Sequence, residues 1–328
     1  MRDSVVGMSV IGFHCSHEQI PPSVLLRDVQ HAHQAGFQAA MCSDHLTPWL
    51  ETQGESGFAL SWLGAALATT PLPFGVVHAP GQRYHPVITA QAIATLGEMF
   101  PGRVWAALAS GENMNEHVTG EPWPDKPVRE RRLVEAVDVI RRLLAGEEVS
   151  HEGAFTVDRA RLWTLPATPP PLIGASITAA SAARHAQWAD GYITVAGDVA
   201  ALRDVVAAYR DAGGVGPIAA QLHLSWAPDE AEALAIARDQ WRSGTVSPPE
   251  AWDLAFPDEF ERRADASEAA IRKAVTVSSD LAVHEARIAE ILDAGVDDVY
   301  VHHVGQQQTA FIDAFGERVL PALGVSAP

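Results

Sequence analysis

The chain has 328 residues, 47% hydrophobic and 20% charged, enough apolar material to bury a large core as one α/β barrel or as two smaller domains. A formal net charge of −18 opposes polyanions and anionic lipid surfaces except at a local basic patch. Lysine is scarce, and the densest basic run, Arg129-Glu130-Arg131-Arg132, opens a helical pattern and reads as a solvated face, so neither nucleic acid nor a membrane is expected as a partner.

The first residues, Met1-Arg2-Asp3-Ser4-Val5, lack the basic start and apolar run of a secretory signal, and no apolar run approaches the roughly 18 residues of a spanning helix. Cys15 and Cys42 show no C-x-x-C spacing. The expectation is a cytoplasmic, reduced protein whose two cysteines are small buried fillers.

Strands are expected at Val5 to Phe13, Phe37 to Cys42, Leu72 to Val77, Val104 to Ala109, Pro171 to Ala175, Gly191 to Val195, Ile218 to Ser225 and Asp298 to His302. Helical patterns run from Ser23 to Ala35, Ser61 to Ala68, Val87 to Met99 and Val128 to Leu144, then from Thr178 to Trp188, Val199 to Ala212, Asp229 to Arg242 and His284 to Ala294. Eight strands alternating with helices, without a break in composition, favour a single (β/α)8 TIM-like barrel domain spanning 1–328.

Two intervals exceed a simple β/α unit. Between 147 and 165 the run from Val149 to Val157 reads as a hairpin turning at Glu152-Gly153. Between 243 and 281 the prolines Pro248, Pro249 and Pro257, with several aromatics, read as a helical cap insertion over the barrel mouth.

In a parallel barrel, chemistry gathers where strands end. Strand one ends in His14, Cys15, Ser16, His17 and Glu18; strand two in Asp44, His45 and Trp49. Strand three ends in His78-Ala79-Pro80-Gly81-Gln82-Arg83-Tyr84-His85, and strand four in Ser110, Gly111, Glu112, Asn113, Asn115 and Glu116. Packing does not explain acids, imidazoles and indoles converging from four strands, because an unpaired buried charge is costly. Of the other tryptophans, Trp62, Trp188 and Trp241 are expected in helix-to-barrel packing and Trp105 in the core, with Trp226 and Trp252 as cavity walls.

Glu18-Gln19, Ser43-Asp44-His45 with Pro48-Trp49, Arg83-Tyr84-His85-Pro86, and Gly111-Glu112 with Asn115-Glu116 together resemble the bacterial luciferase-like flavin and deazaflavin oxidoreductases, most closely the F420-dependent sugar-phosphate dehydrogenases. Phe100-Pro101-Gly102-Arg103, Ala189-Asp190-Gly191 and the final Phe311 to Leu320 extend the resemblance over nearly the whole chain.

The resemblance implies a luciferase-like TIM barrel with insertions, usually a homodimer, holding a flavin-type ring at its mouth beside a small-molecule substrate. It implies His45 as the proton-handling residue with Glu18 and Glu112 as acidic partners. Asp44, Val76, Val77, Gly111, Glu112 and Asn115 are implied at the cofactor and Trp49 and Lys273 at the substrate side, and the strand-end and loop positions add His14, His78 and Trp252 to the substrate cavity. A non-proline cis peptide is implied at Val76-Val77, a strain of about 3 kcal/mol if present. A histidine suits proton transfer because its reference pKa of about 6.5 lies near working pH.

The chain departs from sugar-phosphate dehydrogenases where they hold phosphate. Asp198 stands at the first of three basic positions, Lys273 matches the second, and Thr309 or Ala310 falls at the third. A sugar phosphate is therefore not the expected substrate. The block Gln53-Gly54-Glu55-Ser56-Gly57-Phe58, with Ala79 to Tyr84, resembles relatives thought to use FMN, so coenzyme F420 and FMN both stand as cofactors.

Two other readings stand beside this one. A metal-dependent barrel hydrolase would draw on His14, His17, His45, His78, His85, His302 and His303 with Glu112 or Asp44, but no H-x-H pair ends strand one and no H-E-x-x-H helix occurs. A non-catalytic flavin-binding protein would keep the barrel without turnover. His302 and His303, adjacent on a strand, must face opposite sides.

Overall fold

The computed structural model describes residues 9–325. Eight parallel strands close into a barrel: β1 (Val10–Cys15), β2 (Ala39–Ser43), β3 (Phe74–His78), β4 (Val104–Leu108), then, after the antiparallel hairpin β5 (Val149–Glu152) and β6 (Thr156–Ala160), β7 (Leu172–Ala175), β8 (Tyr192–Val195) and β9 (Ile218–Ser225). A two-residue β10 (Thr276–Val277) adds to β9, and β11 (Asp298–His303) pairs with both β9 and β1 and closes the ring.

All eight expected barrel strands are present among the described residues, with ends shifted by a few positions. The expected first strand begins partly outside them, at Val5 to Met8. The second begins at Ala39 instead of Phe37, because Gly36, with φ 109°, caps the helix Pro22–Ala35 and the chain needs two residues to turn into the sheet. The extra β10 is too short to leave a periodic signal.

Strand parity assigns the two faces. Ile11, Phe13, Ala40, Cys42, Phe74, Val76, Ala106, Leu222, Val299 and Val301 pack outward under the helices in one continuous core. Ala39, Met41, Ala107, Ile173, Ile193, Ala219 and Tyr300 fill the barrel interior, with Trp105 packed against them. The Trp105 and Tyr300 rings meet edge to face at 5.7 Å. They have room because the adjacent paired strands carry glycine beside each ring: a Cβ on Gly75 would lie 1.9 Å from the Trp105 ring, and one on Gly12 would lie 2.4 Å from Tyr300. The barrel is thus plugged low and open at its C-terminal mouth.

Both cysteines are buried and unpaired. Between the helix Glu230–Trp241 and β10 the chain forms short helices at Glu250–Asp253, Pro257–Arg263 and Glu268–Ala274. They reach residues that follow β2 and β4: Phe260 meets Trp49 edge to face, and the Asp253 carbonyl accepts from the Asn113 amide.

Candidate active site

At the mouth a cavity of about 270 Å3 opens among the residues after the barrel strands. The loop after β2 lies across it and is pinned at several points. Ser56 Oγ donates to the His45 carbonyl, and Gln53 Oε1 accepts from the Trp49 and Leu50 amides. Gln53 Nε2 in turn donates to the Gln240 carbonyl, which ties the loop to the helix beyond β9.

His45 is the centre of an acid and imidazole cluster. Its Nε2 lies 3.7 Å from Glu18 Oε1 and 3.7 Å from Glu112 Oε2. The Leu46 N–H donates to Asn115 Oδ1 at 2.9 Å, which turns the Asn115 amide nitrogen toward His45 Nδ1 at 3.2 Å. An amide nitrogen can only donate. His45 Nδ1 is therefore the acceptor, and the ring proton sits on Nε2, between the two carboxylates.

The two carboxylates differ in environment. Burial alone would raise the Glu18 pKa, but His45, His14 and its own backbone N–H outweigh burial and hold it below the ordinary range. Ser16 and Ser43 hydroxyls each donate to it at 2.9 Å. Glu112 is pushed up, first by burial and then by the charges of Glu18 and Glu116, against the opposing pull of His45. Glu18 stays ionised while Glu112 is the readier proton carrier.

Asp44 forms a second cluster below His45. Its Oδ2 accepts from His78 Nδ1 at 2.9 Å and from Arg83 at 3.2 Å, and its Oδ1 accepts from the Tyr84 hydroxyl at 3.3 Å. His78 Nε2 meets the Thr89 hydroxyl at 2.9 Å, so both ring nitrogens are occupied. Burial raises the Asp44 pKa, but the His78 hydrogen bond and the Arg83 charge outweigh it, and the carboxylate is held below its ordinary range.

Most of the expected site residues come together here. His14, Glu18, Asp44, His45, Trp49, Val77, His78, Gly111, Glu112, Asn115 and Trp252 all line the cavity. Val76 does not: it is an outward-facing residue of β3, packed in the core under the helices. The Val76-Val77 peptide is trans, since the only cis peptide among the described residues precedes Pro249; an unbroken ladder from Val76 and Val77 to Ala106 and Ala107 requires the extended trans backbone.

Lys273 is also misplaced by the sequence reading. Its helix, Glu268–Ala274, buries Ile271, and a residue two positions on is rotated about 200° away, into solvent. Trp226 does not line the cavity, and its indole N–H donates to the Ser279 carbonyl. Trp241 is one, although its helical position suggested packing alone. Arg129, expected on a solvated face, is buried at the cavity edge under Trp123, with its Nε lacking a partner.

Ser43, Arg83, Glu116, Lys126, Ser176, Gln221 and His223 also line the cavity. The sequence reading gathered only the first four strand ends. Applying the same parity to β9 would have placed Gln221 and His223 inward beside Ala219. The histidines do not converge on an ion: among the described residues no three His, Cys, Asp or Glu side chains are placed to hold a metal. His302 faces inward, 4.6 Å from the His14 ring, and His303 outward, stacked on Phe311.

Comparison with known proteins adds four findings. Residues 4–317 match the family described as luciferase-like monooxygenase. An F420-dependent glucose-6-phosphate dehydrogenase of Beutenbergia cavernae is 35% identical over 327 residues, covering 95% of this chain and 97% of the relative. An F420-dependent hydroxymycolic acid dehydrogenase of Mycobacterium tuberculosis is also 35% identical over 327 residues, covering 95% and 88%. A solved F420-dependent secondary alcohol dehydrogenase, in complex with an F420-acetone adduct, superposes with a TM-score of 0.88 at 31% identity, covering 97% of this chain and 99% of that one.

Proposed function

This chain belongs to the luciferase-like monooxygenase family and is an oxidoreductase; from that premise we propose that it uses F420 to move a hydride to or from a small alcohol or carbonyl compound that is not a sugar phosphate. The observation that carries the reading is His45 Nε2 held 3.7 Å from each of two carboxylates of opposite pKa tendency, at the wall of the cavity.

The residues suit such a cofactor. Val77, Ala109, Ala175 and Ile193 offer an apolar wall to a planar ring, while Lys126 and Arg129 in the same lining are cations that would hold an anionic tail. When bound, the deazaflavin supplies a two-electron hydride acceptor or donor. The protein handles the proton. On oxidation the hydroxyl proton enters the His45 and Glu112 pair, whose Glu112 is the more basic carboxylate; on reduction the pair returns it to the new oxygen. Glu18 remains charged and holds the His45 Nε2–H, so that the proton taken from the substrate rests on Glu112. Trp49, 5.0 Å from the His45 ring and braced by Phe260, bounds the space left for substrate.

Against a phosphate, the three positions at issue offer nothing. The Asp198 side chain caps the helix Val199–Asp211, Lys273 faces solvent, and Thr309 and Ala310 are exposed outside the cavity lining. The same reading takes the chain as one domain acting as a homodimer in the cytoplasm.

The test is titration of cofactor-free protein with F420 and, separately, FMN, followed by ring absorbance and thermal stabilisation. A ligand of the native state at 100 times its dissociation constant adds about 2.7 kcal/mol. F420 binding, with F420 reduced by secondary alcohols and not by glucose 6-phosphate, is expected. Binding of FMN alone would turn the search to oxygen-dependent oxidation; binding of neither would refute the reading.

A further inference from the structure

The inner wall of the cavity carries an imidazole chain that the proton-handling cluster does not use. His223 Nδ1 and His302 Nδ1 are 3.0 Å apart, and His302 Nε2 is 2.8 Å from Gln19 Oε1. The amide of Gln19 has one permissible orientation: its nitrogen donates to the Val304 carbonyl and to Gln240 Oε1, an oxygen fixed in turn because Gln240 Nε2 donates to the Thr52 carbonyl and to Asp239.

The protons follow in order. Gln19 Oε1 can only accept, so His302 Nε2 carries a hydrogen. His302 is neutral, its pKa driven well down by burial and by the neighbouring histidines, so its Nδ1 is bare. His223 Nδ1 must then donate to it. Burial also lowers His223, to about 3, so it too is neutral and its Nε2 is left as a lone pair. No described residue hydrogen-bonds that atom, and the half-buried ring lines the cavity. The ring cannot turn away: it packs on Trp241 at 4.6 Å, and Trp241 meets His302 edge to face at 4.7 Å.

We propose that His223 Nε2 is a substrate-recognition acceptor, and that the substrate carries, besides the reacting hydroxyl or carbonyl, a second group that donates a hydrogen bond to it. This rests on the proposed alcohol or carbonyl chemistry and narrows it to diols, polyols and amino alcohols. The fixed lone pair favours a hydroxyl or ammonium and repels phosphate or carboxylate.

The test has two arms. The first is nitrogen NMR of histidine-labelled protein without cofactor. His223 should be protonated at Nδ1 and bare at Nε2, with His302 protonated at Nε2, and the His223 Nε2 signal should move on addition of diols from propane-1,2-diol to hexane-1,5-diol. A protonated His223 Nε2, or a signal that no diol or amino alcohol moves, overturns the proposal. The second compares F420 reduction by these diols, by 1-amino-2-propanol and by the matching secondary mono-alcohols. The kcat/KM ratio of donor-bearing to mono-alcohol substrates should be at least tenfold, carried by KM, and should collapse toward one in His223→Phe; a ratio that survives in the variant overturns the proposal. Diol and amino alcohol are separated by which gives the larger ratio. If the NMR arm holds but no alcohol reduces F420, the subsite stands and the proposed reaction fails.

Discussion

Replacing Asn115 with aspartate tests the central assignment, that an amide donor fixes the His45 proton on Nε2. The side chains are isosteric, and the Leu46 N–H, now 2.9 Å from Asn115 Oδ1, keeps a carboxylate oxygen to bond. The other oxygen then stands where the amide nitrogen did, 3.2 Å from His45 Nδ1 and 3.4 Å from Glu112 Oε2. An opposite charge this near raises a histidine pKa by about 1–3 units, or roughly 1.4–4 kcal/mol in favour of the imidazolium. The same charge lifts Glu112 further. In alcohol oxidation, which needs the pair deprotonated, the acidic limb of kcat/KM should move up by about 1–3 pH units, with a rate loss of about 10- to 1,000-fold at any pH below it. In carbonyl reduction, which needs the proton present, the high-pH limb moves the same way and activity persists into more alkaline solution. Nitrogen NMR should show the His45 proton moving to Nδ1 or both nitrogens protonated. Unshifted limbs in both directions, or a native His45 already protonated at Nδ1, would refute the reasoning.

His45→Ala should lower turnover by about a hundredfold or more while F420 affinity stays within a few-fold, measured by steady-state kinetics and fluorescence titration. The fold should be acid-labile from an early pH. His14, His17 and His185 are lowered to about 4 and His223 and His303 to about 3, chiefly by burial. The unfolded chain therefore binds protons first as pH falls below about 6.5, and stability declines from there toward pH 4, each such histidine adding about 1.4 kcal/mol per pH unit. Asp44 and Glu18, both lowered, extend the loss below pH 4, whereas Asp28, raised to about 6, and Glu112 oppose it. Denaturant midpoints at pH 7, 6 and 5 check this, and His14→Phe should flatten the slope by one proton. Gly75→Ala sets a Cβ 1.9 Å from the Trp105 ring and should cost about 1–3 kcal/mol or abolish soluble expression, with partial recovery by Trp105→Phe.

The barrel was legible because each of its strands is short, apolar and followed by an amphipathic helix, a pattern with few other solutions. What escaped was information that depends on rotation. Lys273 matches a basic position in the chain but points to solvent because Ile271 claims the buried side of its helix. Arg129 lies in the most basic run, which composition assigns to water, yet its place on the long helix Lys126–Leu144 turns it under Trp123. Val76 and Val77 are adjacent and chemically alike, and only strand parity decides which one meets the cavity.

The site separated along the same line. Glu18, Asp44, His45, Glu112 and Asn115 follow strand ends in the first half of the barrel, where linear order already groups them. His223 and His302 lie inside strands and were read as sheet, although the sequence shows that His302 and His303 cannot share a face. Their chemistry depends on a hydrogen-bond direction that begins at the Val304 carbonyl and passes through Gln19, residues separated by 285 positions. Residue types mark where a proton can go, but the tautomer that decides whether an imidazole gives or takes it is set by backbone carbonyls and amides brought together only by the closed barrel. The two halves of the mouth therefore differ in kind. One half holds a mobile proton between carboxylates of unlike basicity, and the other holds a fixed lone pair whose neutrality depends on burial. Under the proposed function, the substrate is oriented by its donor at one end and exchanges its proton at the other.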